Sequence, residues 1–139
     1  AKEAETGAPA AAMELPDGTI ITGKTSNLLG ASSALILNAL KYFGEIDNDT
    51  LLMSPDVIEP IQNLKVQHLG NNNPRIHTDE TLIALSICAN TDPNAKKAME
   101  QLSKLRGCEV HSTVILSQVD ERTFKRLGIN LTCEPKYQA

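Results

Sequence analysis

Four consecutive β-branched residues at positions 19–22, TIIT, constrain the fold of this chain more than any other segment. Such residues are stiff and favour an extended backbone, so they predict a straight, buried strand over these positions. The same residues lie inside residues 18–25, which match the G-x-x-x-x-G-K-[ST] pattern of a nucleotide phosphate loop. A phosphate loop has to coil so that its N–H groups surround an anion. Because a strand cannot coil in this way, an ATP-type loop is not predicted here.

A polar loop, GKTSNLLG, follows at residues 23–30 and leads into a helix that is predicted at residues 31–43. In open α/β sheets, ligands bind beyond the carboxyl ends of the strands, and a nearby helix N-terminus attracts anions. The candidate ligand-binding residues are Lys24, Thr25, Ser26 and Gly30. They would hold the phosphate or carboxylate of a small molecule. The alternative is a strand-to-helix connection that is rich in capping residues.

The rest of the chain alternates between extended and helical patterns. Further strands are predicted at residues 50–53, 109–116 and 129–133, and helices begin near Pro55, Thr78, Pro93 and Asp120. Pro60 is expected to interrupt the helix that begins at Pro55. The segments at 31–43 and 81–89 are apolar nearly all round, so both helices are expected to be buried. This alternation implies an α/β fold whose sheet is at least partly parallel.

The composition of the first fifteen residues, AKEAETGAPAAAMEL, differs from that of the rest of the chain. Segments rich in Ala, Glu and Pro are common linkers, so residues 1–15 are interpreted as a linker or disordered lead-in. Residues 16–139 are then expected to form a single α/β domain. The first residue is not Met, and we expect this domain to be the C-terminal part of a longer protein, with the remainder of that chain as a partner.

The net charge and the cysteine content indicate which partners and which cellular setting to expect. Thirteen basic against seventeen acidic residues give a formal net charge of −4, which argues against nucleic acid as the main partner. Three cysteines, an odd number, do not suggest a disulfide framework and fit a reducing, cytoplasmic setting. No apolar stretch approaches the roughly 20 residues that cross a bilayer, so no membrane segment is expected. No motif specifies a cofactor.

Polar side chains recur on one face of two predicted strands. They are Glu109, His111 and Thr113 on the first strand, and Asn130, Thr132 and Glu134 on the second. If these strands pair in register, the polar faces merge, and two carboxylates with a histidine would support general acid–base chemistry. Glu109 and His111 are therefore candidate catalytic residues. The alternative, which we favour, is an edge region whose outer face meets water or a partner subunit.

Cys108 lies directly before the polar strand predicted at residues 109–116, and His111 is the third residue of that strand. Cys108 and His111 have the C-x-x-H spacing of two zinc ligands, and Cys133 would be a third. Cys133, however, lies on the apolar face of its strand, where a free cysteine commonly acts as a small hydrophobic residue. The two cysteines would also have to converge from different elements. No metal site is therefore predicted.

Charged residues cluster at the entrance of the helix that begins near Thr78. They are Arg75, His77, Asp79 and Glu80, within the segment NPRIHTDE. An exposed cluster of this kind would bind an anion or shuttle protons, which makes His77 a third candidate catalytic residue. The alternative is that these residues cap the helix and pair with each other.

Several sequence blocks together resemble a known bacterial family. They read LPDGTIITGKTSNLLGASSALILNALK, SPDVIEPIQNLK, HLGNNNPRIHTDETLIALSI, LRGCEVHSTVILSQVD and LGINLTCEPKYQ. In this order they resemble the C-terminal part of the domain-of-unknown-function family numbered eighteen forty-six, from about Leu15 to Gln138. The resemblance implies a three-layer α/β/α unit of cytidine-deaminase-like topology, with a mixed sheet of about four to five strands.

Deaminase chemistry does not follow from that topology. Zinc deaminases need H-x-E and P-C-x-x-C motifs. In this chain His77 is followed by Thr78 and Asp79, His111 is followed by Ser112, and no C-x-x-C is present. Fold analogy alone does not supply the missing ligands.

Two hypotheses for function remain open, and the sequence does not decide whether the domain is catalytic. In the first, the domain binds an anionic small molecule or nucleotide at residues 23–30, as part of a larger enzyme. In the second, it is a structural or oligomerisation domain that packs against its own longer chain or against a second copy.

Overall fold

The computed structural model describes residues 10–24, 29–112 and 116–133, and the following account concerns these residues. The strands are β1 (Ala10–Glu14), β2 (Ile20–Lys24), β3 (Glu109–Ser112) and β4 (Asn130–Cys133). The α-helices are α1 (Ala31–Phe43), α2 (Pro55–Asn63), α3 (Thr78–Cys88), α4 (Pro93–Met99) and α5 (Gln118–Arg126). A π-helical stretch, Leu64–His68, continues α2, and a 3₁₀ turn, Leu102–Leu105, follows α4.

The four strands form one mixed sheet in the order β2-β1-β3-β4. Strand β1 is antiparallel to both β2 and β3, and β3 is parallel to β4. The helical connection through α5 joins the parallel pair, as parallel neighbours require. The predicted α/β class and mixed sheet are confirmed.

The interpretation of residues 1–15 as a linker is wrong for the residues that the structure describes there. Strand β1 lies between β2 and β3, Met13 is fully buried, and Leu15 is also buried. The physical reason is the alternation of Ala11, Met13 and Leu15, which places three apolar side chains on one face of a strand. Residues 1–9 lie outside the described residues. The predicted start of the single domain at residue 16 therefore excludes β1, which belongs to the same sheet and core.

A tight hairpin joins β1 to β2 through Pro16, Asp17 and Gly18. The Thr19 amide donates to Asp17 Oδ1 at 2.9 Å, and Gly18 adopts a φ of +91°, a value that favours glycine. The hydrogen bonds from Thr19 hold the pKa of Asp17 below its ordinary value. Pro16 and Asp17 thus lie in a tight turn between two strands of the same sheet rather than at a domain boundary.

Helix α1 covers one face of the sheet and agrees with its predicted bounds. Its residues Leu35 and Leu40 are fully buried in a single hydrophobic core that also contains Met13 of β1 and Val110 of β3. Full burial of such a side chain stabilises the fold by about 1.5–3 kcal/mol. The helix ends at Gly44, whose N–H donates to the Leu40 carbonyl at 2.9 Å.

No described helix covers the other face of the sheet, which we call the open face. Pairing aligns its residues in two rows across the strands: Ile20, Glu14, Glu109 and Asn130 in one, and Thr22, Ala12, His111 and Thr132 in the other. All of them are exposed except Ala12, which is half-buried. In the described part of the chain, helices therefore cover only one side of the sheet. The second helical layer of the expected three-layer arrangement is not found there, and the cytidine-deaminase-like topology stays a prediction.

Two local predictions differ from the structure. Residues 50–53 form no strand, and Leu52 and Met53 are instead buried from an irregular segment. Short apolar runs do not distinguish a strand from a buried connection. Pro60 lies within α2 and does not interrupt it, because a helix can lose one N–H donor and continue.

Helix α3 is less buried than its composition predicts. Ala84 and Leu85 are buried, but 60% of Ile83 and 61% of Ile87 are exposed. These two isoleucines are four residues apart and therefore share one side of the helix. The expectation of a helix buried all round is wrong on that side.

Candidate functional site

The two glycines of the phosphate-loop pattern have structural roles in this fold. Gly18 forms the β1–β2 turn, and Gly23 lies in β2 directly against α1. A Cβ on Gly23 would approach the Ala31 carbonyl oxygen and the Leu35 backbone nitrogen to 2.5 Å. The predicted extended backbone is confirmed, with β2 shifted to Ile20–Lys24. Its predicted burial is wrong, since 57% of Ile20 is exposed.

The predicted anion site is only partly within the described residues. Lys24 is exposed at the end of β2, where it pairs with Ala10. Gly30 is the N-cap of α1, has an extended backbone, and provides no capping side chain. The first turn of α1 contains no acidic residue. Thr25 and Ser26 lie outside the described residues, so Lys24 and Gly30 are the two members whose positions are defined.

The polar faces of β3 and β4 merge as predicted. The parallel register places Glu109 beside Asn130 and His111 beside Thr132, all on the open face. Thr113 and Glu134, the outer members of the predicted polar faces, lie outside the described residues. The two strands therefore present one continuous polar surface to solvent.

Strand β1 adds a second carboxylate to this surface. Glu14 is directly opposite Glu109, and the potential ligand atoms of Glu14, Glu109 and His111 all lie within 4.8 Å of one another. We call these three exposed residues the carboxylate–imidazole cluster. Among the described residues, no other group of three His, Cys, Asp or Glu side chains has its ligand atoms so close.

Sequence reasoning missed Glu14 because it assigned residues 1–15 to a linker. The alternation of Ala11, Met13 and Leu15 was the available signal, since it places Glu14 on the opposite, polar side of a strand. Proximity to Glu109 depends on the pairing of β1 with β3, which are almost a hundred residues apart in sequence. No local pattern reports that pairing.

The carboxylate–imidazole cluster borders a shallow cavity. Its two carboxylates favour the binding of a positively charged group. The cavity has a volume of about 300 Å³ and is lined by Glu14, Leu15, Pro16, Gly107 and Glu109. Like charges directly opposite each other on antiparallel strands are destabilising. A divalent cation or another cationic group placed between the carboxylates would relieve this repulsion, and imidazole with carboxylate oxygens suits several divalent metals. The same groups are also capable of proton transfer.

The cysteines do not join this cluster where the structure describes them. Cys108 is fully buried, and its Sγ lies 3.7 Å from the Lys104 carbonyl oxygen. Burial raises the pKa of the Cys108 thiol, which disfavours the thiolate that binds zinc. His111 is exposed on the other side of the sheet. The side chain of Cys133 lies outside the described residues.

His77 belongs to a polar network that holds α3 to the π-helical stretch. The buried Lys65 ammonium donates to Glu80 Oε1 at 2.9 Å and to the Arg75 carbonyl at 2.7 Å, and its Nζ lies 3.4 Å from His77 Nδ1. The His77 backbone N–H donates to the same Glu80 oxygen at 2.7 Å. These are the contacts of a capped helix and an ion pair. They agree with the capping alternative rather than with an exposed anion site.

Two carboxylates accept hydrogen bonds from backbone N–H groups at the N-terminus of α3. Burial alone raises the pKa of Glu80, but hydrogen bonds from His77 and Lys65 and their charges outweigh it and hold the pKa below its ordinary value. Asp120 of α5 accepts from the Thr78 backbone N–H at 3.0 Å and from its hydroxyl at 2.8 Å. With Glu80 and Asp120 in these positions, negative charge already occupies the site that an external anion would take.

Comparison with known proteins assigns the chain to a family. Residues 1–139 match the family model described as Domain of unknown function DUF1846, C-terminal. The chain belongs to this family. It is 60% identical over 136 residues to a UPF0371 protein of Corynebacterium efficiens, which covers 98% of this chain and 28% of the relative. A UPF0371 protein of Streptococcus pneumoniae is 50% identical over 137 residues, or 99% of this chain and 28% of the relative.

The DUF1846 C-terminal domain thus spans little more than a quarter of the length of these curated relatives. The resemblance to this family that the sequence blocks indicate is confirmed. In the part of the domain that the structure describes, no helix has both the length and the apolar character needed to cross a membrane.

Proposed function

We propose that the open face of the sheet is one wall of a composite binding site in a longer protein. In this proposal Glu14, Glu109 and His111 form the polar centre of that wall. The observation that carries it is the convergence of these three side chains on a sheet face that no described helix covers. The remaining part of the longer chain supplies the opposite wall. The whole then acts as a larger enzyme or binding protein.

The structure of the wall supports this proposal in two ways. Mostly parallel sheets in α/β domains are covered by helices on both faces, so a face that no described helix covers is available for packing by another part of the longer chain. Lys24 also lies on the open face by strand alternation, but it pairs with Ala10, two rows away from Glu14 and Glu109. The row of these two glutamates and the row of His111 contain no lysine or arginine at their described positions, so the negative charge of Glu14 and Glu109 has no lysine or arginine beside it in those rows. A cationic ligand, a metal ion or a basic residue of the opposite wall would meet that charge.

Binding between this chain and the remaining part of a relative tests whether the open face forms one wall of a composite site. The 139-residue chain is titrated calorimetrically with the part of the Corynebacterium efficiens relative that lies outside the match. We expect a complex that Thr132→Lys weakens at least tenfold, because a long cation replaces a short exposed side chain beside His111. Glu59→Lys, on the exposed surface of α2, is the matched control and should leave the affinity unchanged. Equal affinities for all three chains, or no complex at 100 μM, would contradict the proposal.

A second candidate function is anion binding at Lys24 and the N-terminus of α1. It is supported by the exposed ammonium at the end of β2 and by an α1 first turn without acidic residues. A helix N-terminus of this kind attracts phosphate or carboxylate groups. Thermal shift against a panel of nucleotides and phosphorylated metabolites tests it. Shifts that are equal for the parent chain and for Lys24→Ala, or no shifts at all, would exclude it, with the exposed Lys97→Ala as the control.

The cellular setting of the domain is part of the same proposal. Cys88 and Cys108 are free thiols, and burial raises the pKa of both. Free thiols are kept in reducing compartments, so we propose a cytoplasmic location.

A further inference from the structure

Strand pairing, rather than a loop, brings the three residues of the carboxylate–imidazole cluster together. The antiparallel register places Glu14 opposite Glu109, and His111 is two residues further along β3, so all three lie on the open face. The same register pairs Met13 with Val110, which are both buried on the core side and therefore hold the two strands in this alignment. The cluster is thus attached to the rigid part of the domain.

The three side chains approach one another without pairing. One potential ligand atom from each lies within 4.8 Å of the other two. The ion pairs among the described residues join Glu80 to Lys65 and His77, so the imidazole of His111 forms none with either glutamate. Carboxylate oxygens and the unprotonated imidazole nitrogen all carry lone pairs. A shared ligand of the three groups therefore has to accept electron pairs, as a metal ion does.

The cavity beside the cluster provides room for such a ligand. Its volume is about 300 Å³, and both Glu14 and Glu109 line it. Gly107 lines it as well, and a Cβ there would meet no atom within 4 Å, so the backbone leaves this space open. A space of this size and polarity holds several water molecules. An ion between the carboxylates can therefore complete its coordination with water.

We propose that Glu14, Glu109 and His111 bind one divalent transition-metal ion. Imidazole suits Zn²⁺, Fe²⁺ and Ni²⁺, and carboxylate suits Mn²⁺, so a mixed set of this kind favours the transition metals. Mg²⁺ and Ca²⁺ are disfavoured because they take oxygen ligands. Three protein ligands leave coordination positions open, as at zinc sites where water or substrate takes the remaining position.

This site deepens the composite-site proposal by naming the cation that the open face binds. The open coordination positions point away from the sheet, toward the opposite wall. All three ligands nevertheless belong to this chain, so the ion binds without that wall. The site shares only His111 with the C-x-x-H spacing, because Cys108 is fully buried on the other side of the sheet. The sequence predicted no metal site because its candidate ligands were the cysteines.

Calorimetric titration of the metal-free 139-residue chain with ZnCl₂ alone tests the site. We expect one Zn²⁺ per chain, and binding of MgCl₂ that is at least tenfold weaker. Glu14→Gln, Glu109→Gln and His111→Ala should each weaken Zn²⁺ binding at least tenfold, because each removes one ligand. Glu59→Gln and His68→Ala, which are exposed elsewhere, are the matched controls and should bind Zn²⁺ like the parent chain. Circular dichroism verifies that each variant is folded.

Unfolding with and without Zn²⁺ separates metal binding from a folding defect. Without metal, Glu14→Gln should be at least as stable as the parent chain, since it removes the repulsion between two carboxylates. Saturating Zn²⁺ should raise the unfolding midpoint of the parent chain and of Glu59→Gln, because a ligand that binds only the folded state stabilises it. The midpoint of Glu14→Gln should not change.

Three results would each overturn the metal site: a parent chain that does not bind Zn²⁺, cluster variants that bind it as tightly as the parent, or control variants that lose as much affinity as the cluster variants. These results are distinct from a failure of the composite site. The complex with the remaining part of the relative is measured without added metal, whereas Zn²⁺ binding is measured without that part. A chain that binds Zn²⁺ but forms no complex would contradict the composite site alone.

Discussion

Glu14 stands directly opposite Glu109 across the antiparallel β1–β3 pair, on the face of the sheet that no described helix covers. His111 lies close enough to complete a three-residue cluster whose ligand atoms are within 4.8 Å. Two carboxylates in this arrangement repel each other in the isolated domain. This repulsion lowers the free energy of unfolding of the domain, as is common at surfaces that bind a ligand or a partner.

Neutralising one member of the pair should stabilise the domain. Glu14→Gln removes the repulsion and keeps the shape of the side chain, so we expect the free energy of unfolding in urea to rise by roughly 0.2–1 kcal/mol. The gain should shrink in 1 M NaCl because salt screens exposed charges. Glu59→Gln, on the exposed surface of α2, should have no comparable effect. A loss of stability in Glu14→Gln would show that the two carboxylates do not repel each other.

The Lys65–Glu80 pair should make stability depend on pH on the acidic side. The folded-state pKa of Glu80 is lower than its ordinary value, so its contribution is fully present above the unfolded pKa of about 4.3 and is lost as pH falls below it. Glu80→Gln lacks this contribution. Unfolding free energies measured from pH 7 to pH 3 should therefore differ most between parent and variant at neutral pH and converge on acidification. Curves that stay parallel would show that Glu80 titrates normally.

A methyl group on Gly23 should disrupt the contact between β2 and α1. Gly23→Ala would bring a Cβ to 2.5 Å from backbone atoms of Ala31 and Leu35, which cannot move without shifting the helix. Overpacking of this kind costs about 1–3 kcal/mol, measurable by chemical denaturation. Gly30→Ala is the matched control, because a Cβ there meets nothing within 4 Å. If both substitutions cost the same, the role assigned to Gly23 is wrong.

Loss of the Asp120 carboxylate should destabilise the junction of α3 and α5. Asp120→Ala leaves the buried Thr78 N–H and hydroxyl without their acceptor, at a cost of about 1–3 kcal/mol in thermal or chemical unfolding. Asp120→Asn keeps one oxygen acceptor and should lose less. An asparagine variant as unstable as the alanine variant would indicate that charge, rather than the hydrogen bonds, holds the junction.

Local sequence patterns predicted the helices whose ends are marked by a capping residue, proline or glycine. The bounds of α1 follow from its continuous apolar residues and from the glycines that flank it, and the structure agrees with them. The starts of α2 and α4 follow from a capping residue before Pro55 and Pro93. Short apolar runs were less informative, as the buried but irregular Leu52 and Met53 show.

The candidate site was only half predictable. The alternation of β3 and β4 indicated that Glu109 and His111 share a polar face, and the parallel register confirms it. Composition obscured β1, because alanine-rich segments resemble linkers even when their apolar residues alternate. The position of Glu14 beside Glu109 depends on contacts between distant segments, which no property of residues 10–15 encodes by itself.

Chemical labelling of the open face is the most direct test of the central claim. Carboxyl labelling of Glu14 and Glu109 and imidazole labelling of His111 are compared in the 139-residue chain alone and in its mixture with the remaining part of the Corynebacterium efficiens relative. The open-face proposal predicts that labelling of all three residues falls at least severalfold in the mixture, while Glu59 and His68, which are exposed elsewhere, keep their rates. Unchanged labelling of Glu14, Glu109 and His111 in a mixture that does form a complex would contradict it.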